Sequence, residues 1–233
     1  MNSQKKALAA KIYLYLAALF ITSLVVSNLI FQKFFYWYPL EGEVFGSRLF
    51  ELSVGILPYP LTFLITDLIS EIYGKKAANR VVTAGIFASF FSMGILLIAD
   101  FVPAMENSPV DDATFTKVFS LSPLAVLASM IAYLLAQFVD IRIYHFWKKL
   151  THGKMLWLRN NFSTFASQFL DTFSVVFLLT LFGILPWDLF FGLVLSGFIF
   201  KIIVAALDTP LLYLLVWMFN RKFDLKPGEE IKL

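Results

Sequence analysis

The sequence contains no cysteine and only two histidines, His145 and His152. Disulfides, cysteine-bound zinc, iron–sulfur clusters and thiol nucleophiles are therefore excluded. Charge is also scarce: 15% of the 233 residues are Asp, Glu, Lys or Arg, where a water-soluble domain carries about a quarter. No glycine-rich phosphate loop is present, because Gly74-Lys75 has neither the preceding glycine spacing nor the following Ser or Thr. The H-E-x-x-H and G-x-S-x-G patterns of metalloproteases and serine hydrolases are missing as well. The two histidines, seven residues apart in a basic stretch with no carboxylate partner, read as solvated loop residues. Neither an enzyme nor a resident cofactor is indicated.

What the chain has instead is apolar surface. Hydrophobic residues make up 59% and aromatics 18%, and the mean hydropathy is +0.77. So few charges cannot clothe a soluble fold, and the class is an integral membrane protein whose partner is the lipid bilayer. Six stretches approach the roughly 20 apolar residues that a bilayer core requires: 12–31, 49–73, 81–102, 121–141, 161–185 and 189–219. The expectation is an all-α, polytopic protein with one transmembrane domain over 1–233. Its first apolar run is too long for a signal peptide and lacks a small-residue cleavage site, so it reads as a retained helix.

Basic residues set the expected orientation. Fifteen lie in the N-terminus, the connections after the second and fourth spans and the C-terminus, against three (Lys33, Arg48 and Lys117) on the opposite side. Both termini are predicted to be cytoplasmic, in a plasma (inner) membrane. The basic loops are explained by topology, so nucleic-acid binding is not indicated. The aromatic connection FQKFFYWYPLEGEVFG is expected at the membrane interface, and the acidic DFVPAMENSPVDDATF as an outer loop.

Several polar residues interrupt this apolar background. Pro58 and Pro60 fall inside the second span; proline removes a helix hydrogen bond, so the helix is predicted to be broken there. Irregular backbone at membrane depth is tolerated where it is buried in protein or lines a cavity. Further on come Asp67 and Glu71, one turn apart; Glu71 is close enough to the span's end to be solvated, Asp67 is not. In the fourth span Tyr133, Gln137 and Asp140 share a face, with Asp140 near enough to Arg142 or Lys148 to pair. In LRNNFSTFASQFLDT (158–172), Asn161, Thr164, Gln168 and Asp171 recur at steps of three and four, which aligns them on one helix face. Asp171 and Lys201 each lie well inside a span, where either would cost about 2.5–3.5 kcal/mol facing lipid. An ion pair between the fifth and sixth spans and a shared role in holding a solute are both open. Ser27 and Asn28 add hydrogen-bonding groups to the first span, and Gly192, Ser196 and Gly197 permit helix association and a homo-oligomer.

Five segments in order, Ser27-Asn28, PYPLTFLITDLISEIYGKKAANR, AYLLAQFVD, LRNNFSTFASQFLDT and FKIIVAALDTPLLYLL, resemble the VUT family of vitamin-uptake-like transporters. The resemblance implies a six-helix importer of queuosine precursors: 7-cyano- and 7-aminomethyl-7-deazaguanine, with queuine a further candidate. It also implies a fold similar to the membrane S-components of energy-coupling-factor transporters, working without an ATPase module. A subunit that needs such a module, a transporter of another vitamin-like or nucleobase solute, and a membrane scaffold are the alternatives. A deazaguanine offers N–H donors and a carbonyl acceptor along one edge. Asp171 or Asp67, Gln168, Asn161, Thr164, Gln137, Asn28 and Lys201 are candidates to meet it, with Phe165, Tyr59 and Tyr133 stacking on the flat base.

Overall fold

The structure, a computed structural model, describes residues 3–31, 33–36, 43–44, 47–48, 51–119, 123–183, 185–226 and 228–232. Among the described residues seven α-helices carry the fold: α1 (Ser3–Ile30), α2 (Tyr59–Ile72), α3 (Lys75–Asp100), α4 (Asp112–Phe119), α5 (Pro123–Leu150), α6 (Leu156–Leu181) and α7 (Phe190–Phe223). All but the eight-residue α4 contribute a stretch long and apolar enough to cross a membrane, six in total; the second begins in a 3-10 turn at Val54 and runs to Ile72.

The helices outrun the apolar stretches that mark them. α3 begins at Lys75 and α5 continues to Leu150, because a helix continues past the bilayer wherever its backbone bonds can. His145 and Lys148 therefore lie on α5, both buried, and not in a solvated loop. The acidic connection after α3 holds α4, whose start is fixed by Asp111 accepting the Thr114 N–H at 2.7 Å. The Thr114 hydroxyl, and then its N–H, hold the Asp111 carboxyl below the usual range.

The entry to the second span departs most from expectation. Where helix was expected, residues 51–53 form strand β4 (Glu51–Ser53), which pairs antiparallel with β1 (Phe34–Tyr36), and the short β2 (Glu43–Val44) and β3 (Ser47–Arg48) pair between them. Trp37 and Tyr38 of the aromatic connection lie outside the described residues. After β4 the chain makes the 3-10 turn Val54–Ile56 and then starts α2 at Tyr59, with Pro58 at the N-cap and Pro60 within the first turn. The prolines thus begin a helix instead of interrupting one, since the first turn is where a missing N–H costs nothing. Gly55 is required at this point: a Cβ there would lie 2.6 Å from the Ser27 carbonyl oxygen. The Ser27 hydroxyl in turn donates to the Gly55 carbonyl, tying the turn to α1.

α2 is the most enclosed span, packed against α1, α3, α5 and α7, while α6 lies between α5 and α7. Phe20, Leu24, Phe63, Leu68, Ile69, Ile72, Val82 and Tyr144 form the core around it. The outward faces carry Leu14, Leu19, Phe87, Phe91, Ile98, Phe169, Leu207 and Trp217, all exposed. Apolar groups outside and polar groups inside is the pattern of a bundle solvated by lipid. The two ends of the chain meet, with Lys5 of α1 paired to Asp224 after α7. The tail also docks, Ile231 N–H donating to the Ile72 carbonyl at 2.7 Å.

Candidate functional site

The polar residues of α6 point into the bundle. Arg159, Asn160, Ser163, Thr164, Ser167, Gln168, Asp171 and Thr172 are all buried, while Phe162, Phe169, Phe173 and Phe177 face out. Opposite them, between α2 and α7, lies a narrow cleft. Its walls are Ile56, Tyr59, Pro60, Leu64 and Asp67 before and along α2, Asn160 and Thr164 of α6, and Phe200, Lys201, Val204, Ala205 and Asp208 of α7. The break between turn and helix is thus part of the wall.

At one end, Lys201 Nζ lies 2.5 Å from Asp171 Oδ2 and 4.7 Å from the centre of the Tyr59 ring. An ammonium held between a carboxylate and an aromatic face is well compensated in a dry interior. The Tyr59 hydroxyl is within hydrogen-bonding reach of the Asp171 carboxylate, and Gln168 Oε1, one turn before it, receives no hydrogen bond. Tyr59 is oriented by its place between two prolines at the head of α2. Its ring meets Tyr133 edge-on at 5.4 Å and Phe63 at 5.4 Å. Tyr133 hydroxyl accepts from Gln137 Nε2 at 2.8 Å, leaving Gln137 Oε1 unsatisfied at full burial.

At the other end stand three acids. Asp67 lines the cleft, and its carboxyl is within hydrogen-bonding reach of Asp140 on α5. Ser167 donates to Asp140 Oδ1 at 2.9 Å. Asp140 therefore turns to Asp67 and Ser167, and the anticipated pairing with Arg142 or Lys148 is not formed. Asp208, half-buried, completes this end.

Deeper along α2, Glu71 is also fully enclosed, contrary to the solvated position expected for it. Arg159 Nη2 lies 2.5 Å from Glu71 Oε1, and Tyr144 hydroxyl donates to Glu71 Oε2 at 3.0 Å. Lys148 Nζ sits 3.7 Å from the same carboxylate, donates to the Glu71 carbonyl at 2.9 Å, and pairs with Glu230 of the tail at 3.0 Å. Arg159 further donates to the carbonyls of Gly153 and Lys154 at 3.1 and 2.8 Å. One carboxylate thereby joins α2, α5, α6, the 151–155 turn and the C-terminal tail.

Of the residues expected at the site, Asp67, Tyr59, Thr164 and Lys201 line the cleft, and Asp171, Gln168, Tyr133 and Gln137 are buried around it. Asn161 does not line it: its Nδ2 bonds back to the Trp157 carbonyl at 2.8 Å and its Oδ1 accepts from Thr209. The neighbouring Asn160 takes the inward place, buried, with Oδ1 unsatisfied. Phe165 is half-buried and outside the cleft wall. Asn28 lines a separate cavity behind Tyr59 and Tyr133, with Ser27 and Ser89. Asn160, Asp140 and Asp208 were not among the residues expected to bind the solute.

Comparison with known proteins agrees with this architecture. Residues 53–215 match the model of a family described as "putative vitamin uptake transporter". The chain is 30% identical over 179 residues to the "Probable queuosine precursor transporter" of Bacillus subtilis (strain 168), a match spanning 73% of each protein. No solved structure matches. The matched region contains the broken entry to α2, the buried face of α6 and the Asp171–Lys201 pair, and the chain belongs to the vitamin uptake transporter (VUT) family, as a multi-pass membrane transporter and not an enzyme.

Proposed function

We propose that this protein imports queuosine precursors, 7-deazaguanine bases such as 7-cyano- and 7-aminomethyl-7-deazaguanine, through the cleft between α2, α6 and α7. The observation that carries the reading is the composition of that cleft: Asp67, a carboxyl group with no cation in contact among the described residues, shares it with amide and ammonium donors, Asn160 and Lys201, and with Tyr59. A deazaguanine edge presents two N–H donors for the carboxylate and a carbonyl for the donors. Asp171 is engaged with Lys201, which favours Asp67 as the acid that reads the base. A site built to pair these groups rejects analogues lacking them by large factors, because its buried partners go unsatisfied. The curated relative's description as a queuosine precursor transporter supports the same substrate class.

Residence in the plasma membrane, with both termini cytoplasmic, is part of the proposal. It is supported by the fifteen-to-three distribution of basic residues and by the Lys5–Asp224 contact, which joins the chain ends at one end of the bundle.

Thermal unfolding of the purified protein against a panel of deazaguanines, purines and vitamins tests the substrate class. A ligand at 100 times its dissociation constant contributes about 2.7 kcal/mol to stability. Stabilisation by 7-cyano-7-deazaguanine but not by adenine is expected; stabilisation by an unrelated vitamin alone would overturn the assignment.

A further inference from the structure

We infer that the end of the bundle where α2 turns into α3 holds a site for an anionic phospholipid headgroup, an inference independent of the solute. An open groove lies there between α1, the start of α3, α5 and the C-terminal tail. Six cations line it: Lys75, Lys76 and Arg80 of α3, Arg142 and Lys149 of α5, and Lys232 of the tail. None of them has an acid within ion-pair distance among the described residues. The carboxylate in the wall is Glu230, which is held by Lys148 at 3.0 Å and lies against Gly74, the N-cap of α3. One acid, already paired, leaves a strong surplus of positive charge.

The preference for basic residues on one side of a membrane accounts for the sign of this end, but not for their convergence. Lys154 and Lys222 belong to the same end and do not line the groove. The floor also carries a polar group without a partner. His145 is 8% exposed and lines the groove, and its Nε2 has no hydrogen-bond partner in the chain. Its imidazole therefore retains a hydrogen-bonding place for a ligand.

Converging guanidinium and ammonium groups suit a phosphate, whose oxygens accept several charge-assisted hydrogen bonds at once. The surroundings select a phosphate that carries acyl chains. Arg142, Phe146 and Lys149 follow at steps of four and three, so one face of α5 presents an aromatic ring between two cations. Phe146 is exposed, as is Leu150 at the same helix end. On α3, Phe87 and Phe91 continue the face of Arg80 toward the middle of the span, and both are exposed. A phosphodiester lodged among the cations has its chains on this apolar surface, while the long Arg and Lys stems reach the headgroup. Because the groove joins α3, α5 and the tail, an occupied site ties these elements together.

Thermal unfolding of the purified full-length protein in detergent, titrated with phosphatidylglycerol or phosphatidylcholine, tests the site. Phosphatidylglycerol should raise the midpoint of unfolding, and phosphatidylcholine should not. Arg80→Gln combined with Arg142→Gln should shift the required phosphatidylglycerol concentration upward by roughly tenfold or more, at about fivefold for each basic residue removed. The control Lys154→Gln with Lys222→Gln removes the same charge from the same end and should keep the wild-type response. Glycerol 3-phosphate, which has the phosphate without the chains, should leave the midpoint unchanged. If the arginine variant does not fold, the comparison of the two lipids on the wild type, repeated at high salt, still decides: the phosphatidylglycerol shift should shrink as the charges are screened. An equal response to both lipids, or an equal loss in the control variant, overturns the inference. A full shift from glycerol 3-phosphate overturns the lipid and makes the site one for a soluble phosphate. None of these readouts uses the solute, so a failure of the import reading leaves the lipid site in place.

Discussion

Lys201 on α7 and Asp171 on α6 form an ion pair at 2.5 Å that occupies only one of the two carboxylate oxygens. The other is buried, with the Tyr59 hydroxyl in reach of the carboxylate. Such a pair can hold two helices together and still offer an acceptor to an incoming group.

Breaking the pair from one side should be costly. Asp171→Leu or Lys201→Met leaves an uncompensated buried charge, worth roughly 3–5 kcal/mol, read as a lower midpoint of unfolding in detergent. Removing both charges together should recover most of that stability. The double variant is nevertheless expected to bind ligand weakly, which separates the pair's structural role from its part in the site.

Arg159 makes a second, sharper case. It contacts Glu71 Oε1, the Tyr144 hydroxyl and the carbonyls of Gly153 and Lys154 at once. A planar guanidinium can satisfy four acceptors in different directions, whereas an ammonium on a shorter reach cannot. Arg159→Lys should therefore destabilise by a few kcal/mol despite keeping the charge, and Glu71→Gln should do the same. Thermal unfolding of the three proteins in one detergent checks both.

At the entry to α2 the constraint is steric. Gly55→Ala places a methyl group 2.6 Å from the Ser27 carbonyl oxygen and 2.7 Å from Phe31 Cβ. Part of what it meets is backbone, so the turn must shift away from α1. A loss of about 1–3 kcal/mol is expected, together with weaker ligand binding, because the shift moves Tyr59. Ser27→Ala, which only removes the hydroxyl bond to Gly55, should cost about 0.5–1.5 kcal/mol.

The absence of cysteine makes the topology directly testable. Single substitutions Asp111→Cys and Lys149→Cys place one thiol on each side of the proposed orientation. A membrane-impermeant maleimide applied to intact cells should label the first and reach the second only after the membrane is opened. The reverse pattern would invert the assignment.

How much of this the sequence disclosed depends on where each charge sits. Asp171 and Lys201 stand deep in apolar runs, so their position inside the spans was legible from spacing, while their pairing was one of two roles left open. Glu71, Arg159, Lys148 and His145 lie near span ends, where hydropathy cannot distinguish a solvated residue from one packed under a loop or a docked tail. Asn160 and Asn161 differ by 100° of helix rotation at the first turn of α6, and both fit an inward stripe until the neighbouring helices choose. Asp67 and Asp140 are 73 positions apart, and no periodicity within either helix shows that they meet. The strands before α2 were hidden for a simpler reason: residues 49–57 read as apolar enough to extend the second span, whereas residues 51–56 form strand β4, paired with β1, and a 3-10 turn.

Uptake of radiolabelled 7-cyano-7-deazaguanine into proteoliposomes containing only this purified protein tests the central claim most directly. The account predicts saturable uptake by the wild type, and a reduction of at least tenfold in Asp67→Asn, whose amide can no longer accept both N–H groups of the base. No uptake by a folded wild type, or unchanged uptake by Asp67→Asn, would contradict it.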